Sequence, residues 1–225
     1  MKSNRSIRIA SAVAIALLGG VGAAALRQDA VTPLPRPATS GGMSLTEALA
    51  KRRSCSAYSD QPLKLEQVSQ LCWAAQGVTD PTRGLRTAPS AMTLYSIHVF
   101  IVDGTGIREY IPKEHALRTL RSDNLVPDLR ALVGKPANMG GAPAAMVLGM
   151  DLAPLAQRAG ARAEKFAAME AAHIAQNVLL QATALGLASI PVGGFDEAKV
   201  SALLKLPEGI RPVYLLPLGH AAPQR

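Results

Sequence analysis

The sequence predicts an α+β fold with helices packed on a mixed central sheet, and three features predict it. Ala144 to Met150 is an unbroken apolar run, as expected of a strand covered on both faces. Apolar residues from Ile97 to Ile101, a Gly104-Thr105-Gly106 turn and then Ile107 to Ile111 read as a hairpin. Helical periodicity recurs between such strands, longest from about Arg162 to Leu185, where Gly186 stops it. The chain has 225 residues, 48% hydrophobic and 18% charged, which is enough for one sizeable core and excludes a disordered chain. No internal repeat is visible and no linker divides the middle. One folded domain is expected over residues 44–222, with a short tail over 223–225.

The elements follow in chain order. Lys2, Arg5 and Arg8 precede an uncharged run from Ile9 to Leu26, with small residues at Ala23-Ala24-Ala25. This reads as an export signal over residues 1–25. An uncleaved membrane anchor is the alternative, since roughly 18 apolar residues just span a bilayer. Gly19, Gly20 and Gly22 make that stretch a poor helix and favour cleavage, with no stable membrane insertion afterwards. No cysteine follows the apolar run, which argues against a lipoprotein anchor, and Asn4-Arg5-Ser6 stands where a twin-arginine signal would be. Residues 26–43, with Pro33, Pro35 and Pro37, read as a solvated, extended linker.

Folded structure is expected from Ser44, where Ser44-Leu45-Thr46-Glu47 forms an N-cap with Glu at the third helical position. That helix runs out at Lys51-Arg52-Arg53-Ser54. A second helix reads from Lys64 to Gln76, with Leu65, Val68, Leu71, Cys72 and Ala75 on one face and Gly77 closing it. A turn-rich stretch from Thr79 to Ser90 leads into the hairpin. Glu114 to Val133 reads as helical and charged, and Val213 to Leu218 as a last central strand.

Composition excludes several function classes. Two cysteines cannot staple a chain of this length. The four histidines are scattered and no C-x-x-C or H-E-x-x-H spacing occurs, so no metal site is indicated. The formal charge is +8, but the leader holds three basic residues and no acidic one, leaving +5 beyond it. Aromatics make up 4% of the chain and no groove-entering motif accompanies the charge, so nothing points to nucleic acid.

Four segments could carry chemistry. Arg52-Arg53-Ser54-Cys55-Ser56 offers guanidinium forks and hydroxyls suited to a phosphate, although a solvated basic helix end has the same look. Ala88-Pro89-Ser90-Ala91-Met92 lets a backbone approach a flat ligand, or is a plain turn. Gly186 to Phe195, containing Pro191-Val192-Gly193-Gly194, permits close approach of backbone N–H groups, or is a tight connection after a helix. Glu170, His173 and Asn177 share one helical stripe and read as satisfied polar groups at a subunit contact rather than as acid and base. Cys55 and Cys72 could pair in an oxidising compartment, but Cys72 lies on an apolar helix face and reads as a buried thiol.

The order of these segments is more specific than any one of them. Arg52-Arg53-Ser54, then Leu71-Cys72-Trp73-Ala74-Ala75-Gln76-Gly77, then Arg86-Thr87-Ala88-Pro89-Ser90-Ala91 entering a strand, resembles the FMN-dependent nitroreductase family. The continuation is similar to its SagB/thiazoline-oxidase branch: Glu170…His173…Gln176-Asn177…Leu180-Gln181-Ala182, Gly186-Leu187, Pro191 to Phe195, and Leu215-Leu216-Pro217-Leu218-Gly219. The resemblance covers about Ser44 to His220.

That resemblance implies a nitroreductase-like fold in a domain-interlocked homodimer with FMN at the interface. It implies that Arg52, Arg53 and Ser54, with Arg225 near the carboxyl end, hold the flavin phosphate and ribityl chain. It implies that Pro89, Ser90 and Ala91 reach the flavin of the partner subunit, and that Pro191, Val192, Gly193 and Gly194 lie along the ring edge near N5. Two departures predict weaker FMN retention: Ser56 replaces a usual basic residue, so its phosphate contact is weaker, and Met92 stands where glycine is common. The implied activity is a ping-pong transfer between a small-molecule electron donor and an acceptor that is a small molecule or a peptide. No catalytic acid or base is nominated. The alternative is a non-catalytic, degenerate flavin-binding dimeric scaffold in the cell envelope.

Overall fold

A computed structural model describes residues 30–133 and 139–223. The export signal and Arg225 lie outside the described residues, and among those described no helix is long and apolar enough to cross a membrane. In chain order the strands are β1 (Val31–Pro33), β2 (Val78–Asp80), β3 (Leu85–Arg86), β4 (Ile97–Asp103), β5 (Gly106–Ile111), β6 (Ala116–Arg121), β7 (Ala144–Asp151), β8 (Leu187–Ser189) and β9 (Ile210–His220). The helices are α1 (Leu45–Lys51), α2 (Leu65–Gln76), α3 (Val126–Leu132), α4 (Ala153–Ala159), α5 (Ala163–Ala184) and α6 (Glu197–Leu204).

Seven strands form one sheet in the order β1-β6-β5-β4-β7-β9-β8, while β2 and β3 pair separately. Hairpin neighbours and crossover neighbours are mixed in this sheet, and each pairing is antiparallel. The predicted hairpin is β4-β5, with Val102 opposite Ile107. The predicted central strand is β7, paired on both edges with β4 and β9.

Alternation along these strands builds two cores. Ile97, Val99 and Ile101 of β4 join Met146, Leu148 and Met150 of β7 under α2, α4 and α5. Phe100 and Val102 of β4 join Ala145 and Val147 of β7 under α3 and α6. That two-sided burial is why the β7 run is continuously apolar rather than alternating. Ile174, Leu71 and Leu129 are fully buried in these layers, each side chain contributing about 1.5–3 kcal/mol of transfer free energy.

Two sequence expectations are corrected. Residues 116–121, read as helical, form β6, because pairing with both β5 and β1 overrides the helix preference of Ala, Leu and Arg. The linker reading of residues 26–43 also gives way in part. β1 adds an edge strand to β6, Leu34 is buried, and Leu34 N–H donates to His115 O at 3.0 Å. Pro33 is tolerated there because an edge strand needs no further donor. Past the arm, Ser44 caps α1 as expected, its Oγ accepting from Glu47 N–H at 3.2 Å.

Candidate functional site

The α1 helix ends in the two arginines, and their side chains behave differently. Arg53 is exposed, and its Nη1 donates to the carbonyls of Ala50 and Arg52 at 3.0 and 2.8 Å. It caps the helix, as a cation at a C-terminus should. Arg52 is half-buried, and no hydrogen bond or ion pair engages its guanidinium among the described residues. Ser54 is exposed, and Cys55 and Ser56 are half-buried.

The chain then runs beside the sheet edge. Cys55 N–H donates to Ser189 O at 3.0 Å, Ser59 N–H to His220 O at 2.9 Å, and Ala222 N–H to Ala57 O at 3.0 Å. These bonds bring the Arg52–Ser56 segment alongside the end of β8, from which Pro191–Gly194 departs. Val192 is buried and bridges to Leu215, which fixes the start of the glycine pair. Gly193 and Gly194 are exposed, and no hydrogen bond engages either N–H among the described residues. Close by in sequence, the buried hydroxyl of Ser189 lacks a hydrogen-bond partner. An uncommitted guanidinium and two open backbone donors, on segments that the Cys55–Ser189 bond ties together, with an orphaned hydroxyl buried at that bond, fit an anionic, carbonyl-bearing cofactor such as a flavin nucleotide. Both cysteines are free thiols, with burial raising the Cys72 pKa.

Pro89–Ala91 is not part of this cluster. Ala91 packs against the core under α2 and α5, whereas Cys55, Ile190 and Phe195 pack against the other core. The Ser90 hydroxyl points inward, donating to Glu170 Oε2 at 2.6 Å and accepting from Tyr95 N–H at 2.8 Å. Ser90 thus presents no side-chain hydroxyl to a ligand; its segment offers backbone and small surface. Ser90 and Glu170 line a cleft of about 260 Å³ together with Pro89, Ala91, Phe166, Met169 and His173.

The Ser90 segment sits in a buried polar network. Gln76 Nε2 donates to Glu170 Oε1 at 3.2 Å, and Arg86 Nη1 donates to Gln76 Oε1 at 3.0 Å. The Arg86 guanidinium lies 4.1 Å from the Tyr95 ring centroid, and Arg86 N–H donates to the Tyr95 hydroxyl at 3.1 Å. Burial pushes the Glu170 carboxyl above the ordinary carboxylate range, against the hydrogen bonds from Ser90, Gln76 and the backbone of Ile97 and Ser96. Met92, Thr93 and Tyr95 all adopt left-handed backbone, with φ of +54°, +55° and +51°. Each such residue costs a non-glycine roughly 1–2 kcal/mol. Hydrogen bonds to a charged acceptor, worth about 1.5–3 kcal/mol each, can offset that strain.

The sequence reading grouped Glu170, His173 and Asn177 as polar groups at a subunit contact. Glu170 is satisfied within its own chain, Asn177 Nδ2 donates to Thr87 O at 3.3 Å, and of the three only His173 is exposed. The role of Gln76 and Tyr95 around Ser90 was missed; a buried glutamate in an alanine-rich helix was the signal that could have found it. A second polar group, His98–Glu109–Arg118, joins β4, β5 and β6. His98 Nδ1 lies 2.7 Å from Glu109 Oε1, and Arg118 pairs with the other oxygen. Burial raises the Glu109 carboxyl, but these partners outweigh it and hold the pKa below the ordinary range.

Comparison with known proteins is consistent over most of the chain. A family profile described as the nitroreductase family matches residues 49–220. A Methanocaldococcus jannaschii protein assigned as a nitroreductase is 33% identical over 184 residues, covering 79% of this chain and 91% of that protein. The crystal structure of a Ralstonia eutropha JMP134 protein, also assigned as a nitroreductase, superposes with a TM-score of 0.79 at 29% identity, covering 88% of this chain and 96% of that one. A chain of the Escherichia coli microcin synthetase McbBCD complex, solved with truncated pro-MccB17 bound, shares the fold at a TM-score of 0.69 and 22% identity, covering 82% of this chain and 75% of that one.

Proposed function

The chain belongs to the nitroreductase family of flavin-type oxidoreductases, and from that membership we propose that it is an FMN-dependent oxidoreductase working as a homodimer. The observation that carries this reading is the Cys55 N–H bond to Ser189 O, which ties the segment bearing the uncommitted Arg52 guanidinium to the strand end that leads into the open Gly193 and Gly194 N–H groups. In this reading Arg52 binds the phosphate, with Ser54 beside it, and Arg53 acts through the helix end it caps. The glycine pair donates to the ring edge, while the Val192 bridge holds the pair in place. Bound flavin supplies two-electron transfer in a ping-pong cycle, accepting electrons from a small-molecule donor and passing them to a second substrate.

Dimerisation is supported by the separation of the two segments. Ala91 packs against the core under α2 and α5, while Cys55, Val192 and Phe195 belong to the core on the other face, a separation that favours a ligand held between two chains. The order of motifs from Glu170 to Gly219 favours the SagB-type dehydrogenase branch. The fold shared with a chain of a microcin synthetase complex solved with truncated pro-MccB17 bound fits a substrate that is a small molecule or a peptide. We propose export as well, on the basic-then-apolar leader; a full-length chain recovered only from the cytosol would contradict it.

The test is an absorbance spectrum of the purified protein, before and after FMN is added and the excess removed. Flavin bands that bleach with a reductant and return with an acceptor are expected. Protein that stays colourless after FMN is added would sink the reading. Bands that never bleach with NADH, NADPH or other donors and acceptors would favour the non-catalytic scaffold.

A further inference from the structure

We propose that Glu170 is a positioning residue for the Pro89–Tyr95 segment, holding it in the shape that meets the cofactor. This rests on the reading above, in which Pro89–Ala91 faces the flavin of a partner subunit.

Glu170 is 2% exposed, in the middle of α5. Every group that meets its carboxylate is a donor: the Ser90 hydroxyl, the Gln76 amide, and the backbone N–H groups of Ser96 and Ile97. A carboxylate accepts from all of these donors at once, whereas a carboxamide brings two N–H donors of its own into the set, which the Ser90 hydroxyl meets only by reversing its bond. Ser90 passes the hold onward, because its Oγ accepts from Tyr95 N–H. Tyr95 in turn is pinned by Arg86, through the backbone N–H to its hydroxyl and the guanidinium on its ring. The segment between Ser90 and Tyr95 contains Met92 and Thr93, both with left-handed backbone. A path that strained persists only where its surroundings over-determine it, and Glu170 is where those restraints converge. The outer edge of the segment, Pro89 and Ala91, borders the cleft with Met169 and His173. Ser90 and Glu170 line the same cleft, but the Glu170 carboxylate is committed to the network, so its hold on the segment runs through Ser90.

The experiment uses the full purified chain with Glu170→Gln, Glu170→Asp, Ser90→Ala and the Glu170→Gln/Ser90→Ala double variant. Two readouts are taken: hydrogen exchange of peptides covering residues 88–96, and the FMN dissociation constant from quenching of flavin fluorescence. Glu170→Gln should speed exchange in residues 88–96 while sparing β7, and weaken FMN by about tenfold or more. Glu170→Asp, which keeps the acceptor-only carboxylate, should recover part of both. In the Ser90→Ala background, Glu170→Gln should change FMN affinity by less than about twofold, because the two act as one unit. Faster exchange with unchanged FMN affinity, or equal losses with and without Ser90, would make Glu170 a structural residue only. If Glu170→Gln does not fold, Glu170→Asp and Ser90→Ala alone must still loosen residues 88–96 and weaken FMN together. Wild-type protein that takes no FMN overturns the flavin reading, and the positioning role with it, whereas unchanged exchange in Glu170→Gln overturns the positioning role alone.

Discussion

Arg53 commits Nη1 to the carbonyls of Ala50 and Arg52, whereas no hydrogen bond or ion pair among the described residues engages the Arg52 guanidinium, which can meet a phosphate. Arg52→Ala should weaken FMN by about 10- to 150-fold, the equivalent of a lost charge-assisted hydrogen bond of roughly 1.5–3 kcal/mol. Riboflavin, which has no phosphate, should lose far less, and equal losses for both would return Arg52 to the role of a solvated helix end. Met92 presents a different case. Its φ of +54° is the conformation glycine takes without penalty. Met92→Gly should raise the unfolding free energy by on the order of 0.5–1 kcal/mol, the relief of strain less the entropy glycine adds to the unfolded chain. Urea denaturation checks this, and a loss of stability would count against strain at that site. Glu170 carries a pH signature. Its folded pKa is raised by burial, so the folded state holds the proton more tightly than the unfolded chain does. The stability difference between wild type and Glu170→Gln should therefore fall as pH rises from about 4.3 through the raised value. Glu109, whose pKa is lowered, has the opposite sign, contributing stability above the ordinary range and losing it as pH falls. A wild-type-minus-variant curve that climbs with pH would contradict the account of Glu170. The arginine and glycine motifs were legible as residue types in order; which arginine is free, and where the Ser90 hydroxyl points, depends on contacts between distant segments and was not.

The β4-β5 hairpin, β7 and α5 were legible because each carries its own local signal, whether a glycine turn, a continuous apolar run or a long helical period. β6 carried none: Ala-Leu-Arg-Thr-Leu-Arg has good helix formers and no strict alternation, and only its two neighbours make it a strand. The amino-terminal arm was hidden for a related reason. Three strand residues followed by prolines read as a linker, yet long-range bonds tie the arm down. Thr119 N–H donates to Ala30 O at 2.9 Å, Ser69 Oγ donates to Pro35 O at 2.5 Å, and Gln70 clasps the backbone of Ala38 in both directions. Leu34 fills the core beneath. Leu34→Ala should then cost about 2–4 kcal/mol, the range for a buried leucine, as measured by chemical denaturation. A change within about 0.5 kcal/mol, as for a solvated surface position, would restore the linker reading.

For the whole molecule, the sheet acts as a partition. Ala91 packs against the core under α2 and α5, while Cys55 after the arginines and Val192 before the glycine pair belong to the other core. Exposed Leu45, Leu49 and Met169 lie on α1 and α5, apolar side chains that a second copy would cover. The central claim is that flavin binds between two copies of this chain, and sedimentation velocity of the purified protein with FMN, followed in the flavin absorption bands, tests it most directly. The account predicts that flavin absorbance travels with a species of twice the chain mass, at one flavin per chain. Flavin travelling stoichiometrically with a single chain, or remaining unbound while the protein sediments, would contradict it.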